Sequence, residues 1–314
     1  MSTPEPAIGT SSPGNIRSPH SLSAPDTGPQ RSRPGVWNLL ALSSLAGVTA
    51  VWGGTFVLVK DAVSQAPAMD FLAVRFLIAA AVLLMLRPRR ITMLSRAGWG
   101  HGILLGLALG VAYIAQTYGL RYTSASLSGF ITGMFVVFTP VIAGLVLRHR
   151  ITRATWAAVG IAVLGLGLMS VQEFAVGPGE LLTLMCALFL ALHIVGLGEW
   201  SSPHDAHALT TVQLGVVAAM CLVVGVPDGL DLPADWHFWV ALIGMAVIAT
   251  SVAYMVQTWA QARVPASQAA VVLTLEPVFA GIFGVVFDHD QLTAQIVLGA
   301  ALMVCAMYLA ELRS

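Results

Sequence analysis

From Trp37 onward, long apolar segments alternate with short polar loops. The pattern delimits ten such segments, with bounds 37–60, 69–86, 99–120, 124–147, 153–171, 180–199, 207–226, 236–259, 266–287 and 292–311. A helix of about 20 apolar residues is long enough to cross the hydrocarbon core of a bilayer. The pattern therefore predicts an all-α membrane protein with ten transmembrane helices.

Residues 1–34 have the opposite character. They hold seven of the sixteen prolines and seven serines, with almost nothing apolar. Such a segment cannot bury enough surface to order itself. It is also not expected to be a secretory signal peptide, because no apolar core closely follows a basic start. We predict a disordered cytoplasmic tail.

Composition supports the membrane interpretation and excludes other classes. Hydrophobic residues make up 57% of the chain and charged residues 10%, and the mean hydropathy is +0.83. Soluble domains contain about 25% charged residues. The net charge is zero, so no nucleic-acid partner is indicated. The cysteines, Cys186, Cys221 and Cys305, lie in apolar runs without CxxC spacing, so we expect buried or lipid-facing thiols and neither metal nor cofactor.

Basic residues predict the orientation. With the tail in the cytoplasm, twelve of the fifteen lysines and arginines lie on the cytoplasmic side. This is the usual bias of membrane proteins. The acidic residues are displaced to the other side, which is weaker support. We expect a multi-pass protein of the plasma (inner) membrane with both termini cytoplasmic.

One ionisable residue, Glu276, lies near the middle of the ninth segment, directly before Pro277. A carboxylate at that depth is costly in lipid, so it is expected to face the bundle interior or a wet cavity. Proline removes a backbone donor, which fits a helix bent beside such a cavity. Thr139 and Pro140 occupy the corresponding place in the fourth segment. Glu276 is also a candidate carrier of a coupling proton.

The chain contains an internal repeat. A constant offset of 141 aligns Gln116 with Gln257 and Ser126 with Ser267. The proline motif of the fourth segment recurs in the ninth, one helical turn earlier. Two copies of one element indicate a duplicated membrane protein.

The two copies, residues 37–171 and 180–311, hold five segments each. Because five is odd, the second copy must enter the membrane upside down. The charges agree, since the predicted cytoplasmic run Arg148-His149-Arg150 becomes the predicted external run Asp288-His289-Asp290. Inverted repeats are typical of secondary transporters, whose sites lie at the repeat interface near the midplane.

Several short motifs follow one another in a specific order: Trp52-Gly53-Gly54-Thr55-Phe56 with Val59-Lys60, Arg75-Phe76, Tyr122-Thr123-Ser124-Ala125, Pro140, Leu275-Glu276-Pro277-Val278 and Gly299. With these motifs the chain resembles the EamA branch of the drug/metabolite transporter superfamily over residues 37–311. The resemblance implies a ten-helix permease with two EamA repeats. It also implies transport of small metabolites, often export of amino acids or related compounds. In one departure, Asp288-His289-Asp290 stands where the family commonly has Gly-Glu.

Ten residues are candidates for a substrate-binding site: Trp52, Phe56, Lys60, Arg75, Tyr113, Gln116, His193, Tyr254, Gln257 and Glu276. The aromatic and amide side chains among them could line a pocket, although at helical spacing they also suit simple packing. Arg75 could meet a substrate carboxylate and Glu276 an ammonium group. This combination suits an amino acid or a similar metabolite.

Each polar candidate has an alternative interpretation. Lys60 and Arg75 could instead extend to the headgroups or pair with Asp61 or Asp70. His193 could carry a proton, but a hydrogen-bonded structural histidine is the simpler alternative.

Glycines 102, 106 and 110 form a GxxxGxxxG ridge, which predicts close contact with another helix and no chemistry.

Other functional classes receive less support from the sequence. An intramembrane enzyme would need catalytic groups, yet the apolar segments contain no HExxH, no GxSxG and no cluster of His, Asp and Glu. A channel would more naturally use rings of charges or carbonyls from several subunits. We therefore expect a secondary transporter rather than an enzyme, with a small-molecule substrate and alternating access. The runner-up is an exporter of cationic drugs, and the oligomeric state stays open.

Overall fold

The computed structural model describes residues 36–146, 177–225, 229–264, 275–289 and 293–311, with isolated residues between 153 and 168 and between 269 and 273. Every regular element within those residues is a helix. In chain order these are α1 (Val36–Gln65), α2 (Ala68–Leu86), α3 (Pro88–Thr92), α4 (Arg96–Gly119), α5 (Ala125–Thr132), α6 (Phe135–Val146), α7 (Pro178–Trp200), α8 (Ala206–Gly225), α9 (Trp236–Gln261), α10 (Leu275–Phe287) and α11 (Ala294–Glu311). The predicted tail, residues 1–34, lies outside the described residues.

Seven stretches are long and apolar enough to cross a membrane: Trp37–Gln65, Ala68–Leu86, Arg96–Gly119, Ala125–Leu145, Pro178–Trp200, Ala206–Gly225 and Trp236–Gln261. They coincide with predicted segments one to four and six to eight. Two shorter apolar helices, Leu275–Phe287 and Val297–Ala306, fall within segments nine and ten. Most of segment five, 153–171, and the first half of segment nine lie outside the described residues, so a total of ten stays a prediction. The protein is a multi-pass integral membrane protein.

The fourth predicted segment, 124–147, is one span but two helices. Gly133 and Met134 separate α5 from α6, and the turn is tightened by a short-range bond from Val136 N to Gly133 O at 3.1 Å. Pro140 lies inside α6, where it cannot donate to the carbonyl four residues earlier. The regular helix of this span is thus interrupted at Gly133 and Met134, about two turns before Pro140.

Helix α9 contains a π-helical turn, Met245–Val252, between two α-helical parts. The hydroxyls of Thr250 and Ser251 each donate to the carbonyl five residues back, at 2.9 Å. A π-turn shifts the register of the helix and often marks a functional position. Here it redirects polar groups of α9 toward α1 and α2.

The helix pairings have a two-fold pattern. Helix α2 packs against α8, and α5 against α10. The contacts of α1 with α9 and α10 have counterparts in those of α7 with α4 and with α5 and α6. Likewise, the contact of α2 with α9 corresponds to that of α8 with α4. Exchanging the two halves of the chain therefore maps the pairings of α2 with α8 and of α5 with α10 onto themselves, and each of the others onto its counterpart.

The predicted glycine ridge is confirmed as a close helix contact. A Cβ placed on Gly106 would lie 2.7 Å from the Val216 Cβ and 2.8 Å from the Gln213 carbonyl oxygen on α8. Gly102 and Gly110 face the same helix at similar distances. These glycines let α4 and α8 approach until their backbones nearly touch.

Polar contacts collect at two ends of the bundle. At the arginine-rich end, defined by Arg87, Arg90 and Arg263, Arg90 Nη1 lies 3.2 Å from Asp205 Oδ2. At the opposite, acidic end, the carboxylate of Asp70 accepts a hydrogen bond from the backbone N–H of Asp231 at 2.9 Å. The loops that the basic-residue bias assigns to the cytoplasm thus meet at the arginine-rich end, while the sidedness itself stays a prediction.

Candidate functional site

A small cavity lies at the centre of the bundle, between α1, α4, α6, α7, α9 and the start of α10. Its lining consists of Trp52, Thr55, Phe56, Ala112, Tyr113, Gln116, Phe135, Cys186, Leu190, His193, Ile194, Tyr254, Gln257, Leu273 and Glu276. Its volume is about 30 Å³. That is room for a water molecule or two, whereas small-molecule pockets usually measure roughly 300–1,000 Å³. The helices are therefore closed around this central cavity.

Eight of the ten residues predicted for the site line this cavity. They come from four separate apolar segments of the first and second halves and from the described start of α10. The two that do not line it are Lys60 and Arg75. The structure thus brings most of the predicted set together, while its binding of a substrate stays a proposal.

Two tyrosines join the halves of the chain at the cavity. The hydroxyl of Tyr254 on α9 donates to the hydroxyl of Tyr113 on α4 at 3.0 Å. Trp52 lies against Tyr254, with ring centroids 5.1 Å apart, and His193 meets Tyr254 edge-on at 6.0 Å. These four side chains give the cavity an aromatic wall with polar edges.

The amides and the histidine add hydrogen-bonding groups. Gln116 Nε2 donates to the Thr132 hydroxyl at 3.2 Å, and a ring nitrogen of His193 lies 2.8 Å from Gln213 Oε1. His193 is therefore the hydrogen-bonded histidine of the simpler alternative, and it also lines the cavity. The buried Oε1 of Gln257 has no hydrogen-bond partner within the described part of the chain. It is an acceptor left available to a ligand.

Glu276 lies in the first turn of α10 and is 7% exposed. Both Glu276 and Pro277 are buried, and the carboxyl faces the cavity as the depth argument predicted. No salt bridge to Glu276 occurs among the described residues. An unpaired carboxylate away from water is costly, so a cation or a proton would find a favourable place here.

Arg75 lies beside the cavity rather than in its lining. Its Nε donates to the Thr250 hydroxyl at 2.9 Å, and its guanidinium carbon lies 5.3 Å from the centroid of the Tyr113 ring. It is 1% exposed, and neither Nη1 nor Nη2 has a hydrogen-bond partner within the described ranges. The alternative pairing with Asp70 is not seen, because no salt bridge between Arg75 and Asp70 occurs among the described residues.

The π-turn of α9 explains how these groups are positioned. Trp52 Nε1 donates to the Ala249 carbonyl at 2.8 Å, and the Ser251 hydroxyl shares its one proton between the Ala246 carbonyl at 2.9 Å and the Ala79 carbonyl of α2 at 3.0 Å. Together with Thr250, which accepts from Arg75, three consecutive residues of the turn bind α1 and α2. All three residues lie within the π-turn, which is therefore the part of α9 that contacts α1 and α2 here.

Lys60 does not line the central cavity and instead forms an ion pair elsewhere. Its Nζ lies 2.5 Å from Asp288 Oδ2, and the two side chains are 31% and 23% exposed. The expected alternative partner Asp61 instead accepts from Gln65. Lys60 thus joins the end of α1 to the end of α10 and does not line the central cavity, and a part in substrate binding stays a prediction.

Several lining residues were missed from the sequence. Thr55 stands inside the quoted WGGTF motif, and Phe135 lies four residues before Thr139, so both had a local cue. Cys186 is 1% exposed and faces the cavity, whereas an ordinary core or lipid-facing thiol was expected. Ala112 carries no chemical signal at all. No group of His, Cys, Asp and Glu suited to a metal ion occurs among the residues described.

Comparisons with known proteins agree with this architecture. A profile of the EamA-like transporter family matches residues 39–171 and 177–312. A protein of Archaeoglobus fulgidus named "Uncharacterized transporter" is 32% identical over 284 residues, covering 90% of this chain and 90% of that protein. The "Uncharacterized transporter YoaV" of Bacillus subtilis is 24% identical, covering 84% of this chain and 94% of its own length. One crystal structure shares the fold, with a TM-score of 0.64 at 15% identity over 87% of this chain and 97% of that chain.

Proposed function

Because this chain belongs to the EamA-like transporter family, we propose that it is a secondary transporter that exports a small metabolite, such as an amino acid, by alternating access. The family and the relatives point to a membrane transporter rather than an enzyme. The finer assignment rests on the central cavity. There, side chains from both halves surround the buried carboxyl of Glu276.

The small volume of the cavity supports alternating access. An amino acid cannot enter a space of about 30 Å³ that holds only a water molecule or two. The helices must therefore separate, first on one side and then on the other, for a substrate to pass. The two-fold helix pairings offer equivalent contacts that could open on either side.

Glu276 is proposed to bind either the ammonium group of the substrate or a coupling proton. It has no salt-bridge partner in the described part of the chain, and aromatic rings of Trp52 and Tyr254 form the adjacent wall. A cation is favoured by a carboxylate and by the faces of aromatic rings. Exchange of proton for substrate at one carboxyl would couple the two fluxes.

Arg75 is proposed to bind the carboxylate of the substrate once the cavity opens. Its two terminal nitrogens are buried and unpartnered among the residues described, and the guanidinium lies against Tyr113, whose ring lines the cavity. A planar guanidinium suits a carboxylate better than a lysine does. This role requires the Tyr113 ring to move when the helices separate.

A second candidate is an exporter of cationic drugs. The observation that favours it is that, among the described residues of the cavity lining, Glu276 is the only acidic or basic side chain apart from His193. In that case Glu276 alone binds cation and proton in competition, and Arg75 only supports Tyr113. The two candidates differ in their dependence on Arg75.

The test uses purified protein in proteoliposomes and compares labelled amino acids with a cationic dye. Saturable flux that responds to a proton gradient is expected, and Glu276→Gln is expected to keep the fold while losing transport and its pH dependence. Glu199→Gln, which removes an exposed carboxylate outside the lining, serves as the matched control. Normal transport by Glu276→Gln across a range of pH would remove the proton-coupling proposal.

A further inference from the structure

A second, larger cavity opens at the arginine-rich end, away from the central cavity. It has a volume of about 630 Å³ and lies where α2 ends, α8 begins and α9 ends. The polar side chains that define it are Arg87, His204, Asp205, His207, Trp259 and Arg263. It shares no lining residue with the central cavity.

The charge in this cavity is predominantly positive. Asp205 is already engaged, because it pairs with Arg90 at 3.2 Å and caps α8 by accepting from the Ala208 N–H at 3.0 Å. Arg87 and Arg263 have no carboxylate partner among the described residues. The first turn of α8 adds little further positive charge, because the Asp205 carboxylate already caps this helix N terminus.

His204 does not add to this charge at neutral pH. Burial, and next the neighbouring His101, lower the pKa of His204. Its ring lies 3.0 Å from that of His101, which in turn stacks on Trp200 with ring centroids 4.7 Å apart. The two arginines therefore supply the full positive charges that face the cavity.

His207 is a buried polar side chain without a hydrogen-bond partner in the described part of the chain, and it lines this cavity. The residue is only 7% exposed, and both ring nitrogens lack such a partner. A buried imidazole without a partner costs free energy, because it has lost water and gained nothing in return. A ligand that accepts its N–H hydrogen bond would remove that cost.

We propose that this cavity binds a phosphate group, held by Arg87, Arg263 and His207 at the N terminus of α8. Two guanidiniums and an imidazole N–H offer donors in several directions, which suits the oxygens of a phosphate better than the two oxygens of one carboxylate. The site is separate from the central cavity and does not depend on the transported substrate.

The phosphate can come from a phospholipid or from solution. Arg263 lies over the Trp259 ring at 4.5 Å and donates to its carbonyl at 2.7 Å, which places the guanidinium beside an aromatic residue typical of the membrane interface. Met255 and Val256 add an apolar wall along which an acyl chain could lie. A lipid headgroup and free phosphate share the proposed chemistry, so the experiment must distinguish them.

The test measures the thermal unfolding temperature of the full-length protein under two conditions. One series uses nanodiscs of phosphatidylglycerol against phosphatidylcholine, and the other uses detergent micelles with and without inorganic phosphate. Arg87→Gln, Arg263→Gln and the double variant remove the proposed charges. Arg89→Gln is the matched control, because Arg89 is an exposed arginine of α3, two residues after Arg87, and does not line the cavity. His207→Phe tests the buried donor separately.

A higher unfolding temperature in phosphatidylglycerol alone identifies a lipid site, and one with inorganic phosphate alone identifies a soluble ligand. In either case each single arginine variant should bind the effective ligand, phosphatidylglycerol or inorganic phosphate, about tenfold more weakly, because a charge-assisted pair is lost. Arg89→Gln should respond like the original protein. If neither ligand raises the unfolding temperature, or if Arg87→Gln and Arg263→Gln respond as strongly as Arg89→Gln, the proposal is wrong. Transport through the central cavity is measured in parallel. The phosphate site is judged by the unfolding temperatures alone, so a failure of the transport proposal would not change its outcome.

Discussion

Tyr113 and Tyr254, whose hydroxyls lie 3.0 Å apart, are separated in the chain by 141 residues. The same offset aligns Gln116 with Gln257, so the two tyrosines are equivalent positions of the internal repeat. Equivalent residues can touch only close to the axis that relates the two halves. The hydrogen bond therefore marks that axis, and it lies in the wall of the central cavity.

This contact predicts a coupled effect on stability. Tyr113→Phe or Tyr254→Phe leaves the other buried hydroxyl without its partner, which should lower the free energy of unfolding by about 1 kcal/mol. The double variant should lose less unfolding free energy than the two single variants together, because neither hydroxyl is then left without its partner. Thermal unfolding in detergent measures the stability of the two single variants and the double variant. Tyr122→Phe is the control, because Tyr122 is exposed. Strict additivity would show that the hydroxyls do not interact.

Arg75 is expected to select for substrates that carry a carboxylate. Arg75→Lys keeps the charge but cannot reproduce the planar fork, so the KM for an amino acid should rise about tenfold. Flux of a purely cationic dye should change little. The control is Arg121→Lys, because Arg121 also lies over a tyrosine ring, that of Tyr118 at 5.9 Å, but is exposed and outside the lining. An equal loss for both substrates would indicate a structural role.

Close packing of α4 on α8 should depend on Gly106. A methyl group there would collide with the carbonyl oxygen of Gln213, so Gly106→Ala should destabilise the protein by about 1–3 kcal/mol. Gly100, on the same helix, has nothing within 4 Å of an added Cβ. Gly100→Ala should be neutral or stabilising by up to about 1 kcal/mol, since alanine favours a helix. Equal unfolding temperatures of the two variants would contradict the close contact.

The ion pair of Lys60 with Asp288 should hold α1 and α10 together at the acidic end. Lys60→Asp places two carboxylates side by side and should lower stability by about 0.5–1 kcal/mol, the range for partly exposed pairs. The exchanged double variant, Lys60→Asp with Asp288→Lys, should recover most of this loss. Asp61→Lys, which changes the neighbouring acid, is the control. Failure of the exchange to restore the unfolding temperature would mean that the pair contributes nothing.

Sidedness can be measured by labelling single cysteines in intact cells. Leu230→Cys at the acidic end should react with a membrane-impermeant reagent, while Met93→Cys near the arginine-rich end should react only in permeabilised cells. Both side chains are exposed, so access is not limited by packing. Cys305→Ala removes the exposed native thiol, whereas Cys186 and Cys221 are buried. The reverse labelling pattern would overturn the predicted orientation.

Much of this molecule is determined by the sequence alone, because lipid imposes simple rules. A span must be long and apolar and must satisfy its own backbone, so the segments and the cost of burying Glu276 could be predicted from composition and spacing. The offset of 141 likewise predicted which elements correspond. Eight of the ten candidate residues then fell on one cavity.

The tertiary structure decided what depends on distances between helices. The π-turn of α9 has no marker in its apolar sequence, yet it sets the partners of Trp52 and Arg75. The pairing of Lys60 with Asp288 joins residues 228 positions apart, and local spacing favoured Asp61 instead. The buried ring of His207 was likewise invisible, since a histidine at a helix start is ordinarily hydrated. Apolar periodicity fixes which residues enter the membrane, but only helix packing determines which polar groups meet there.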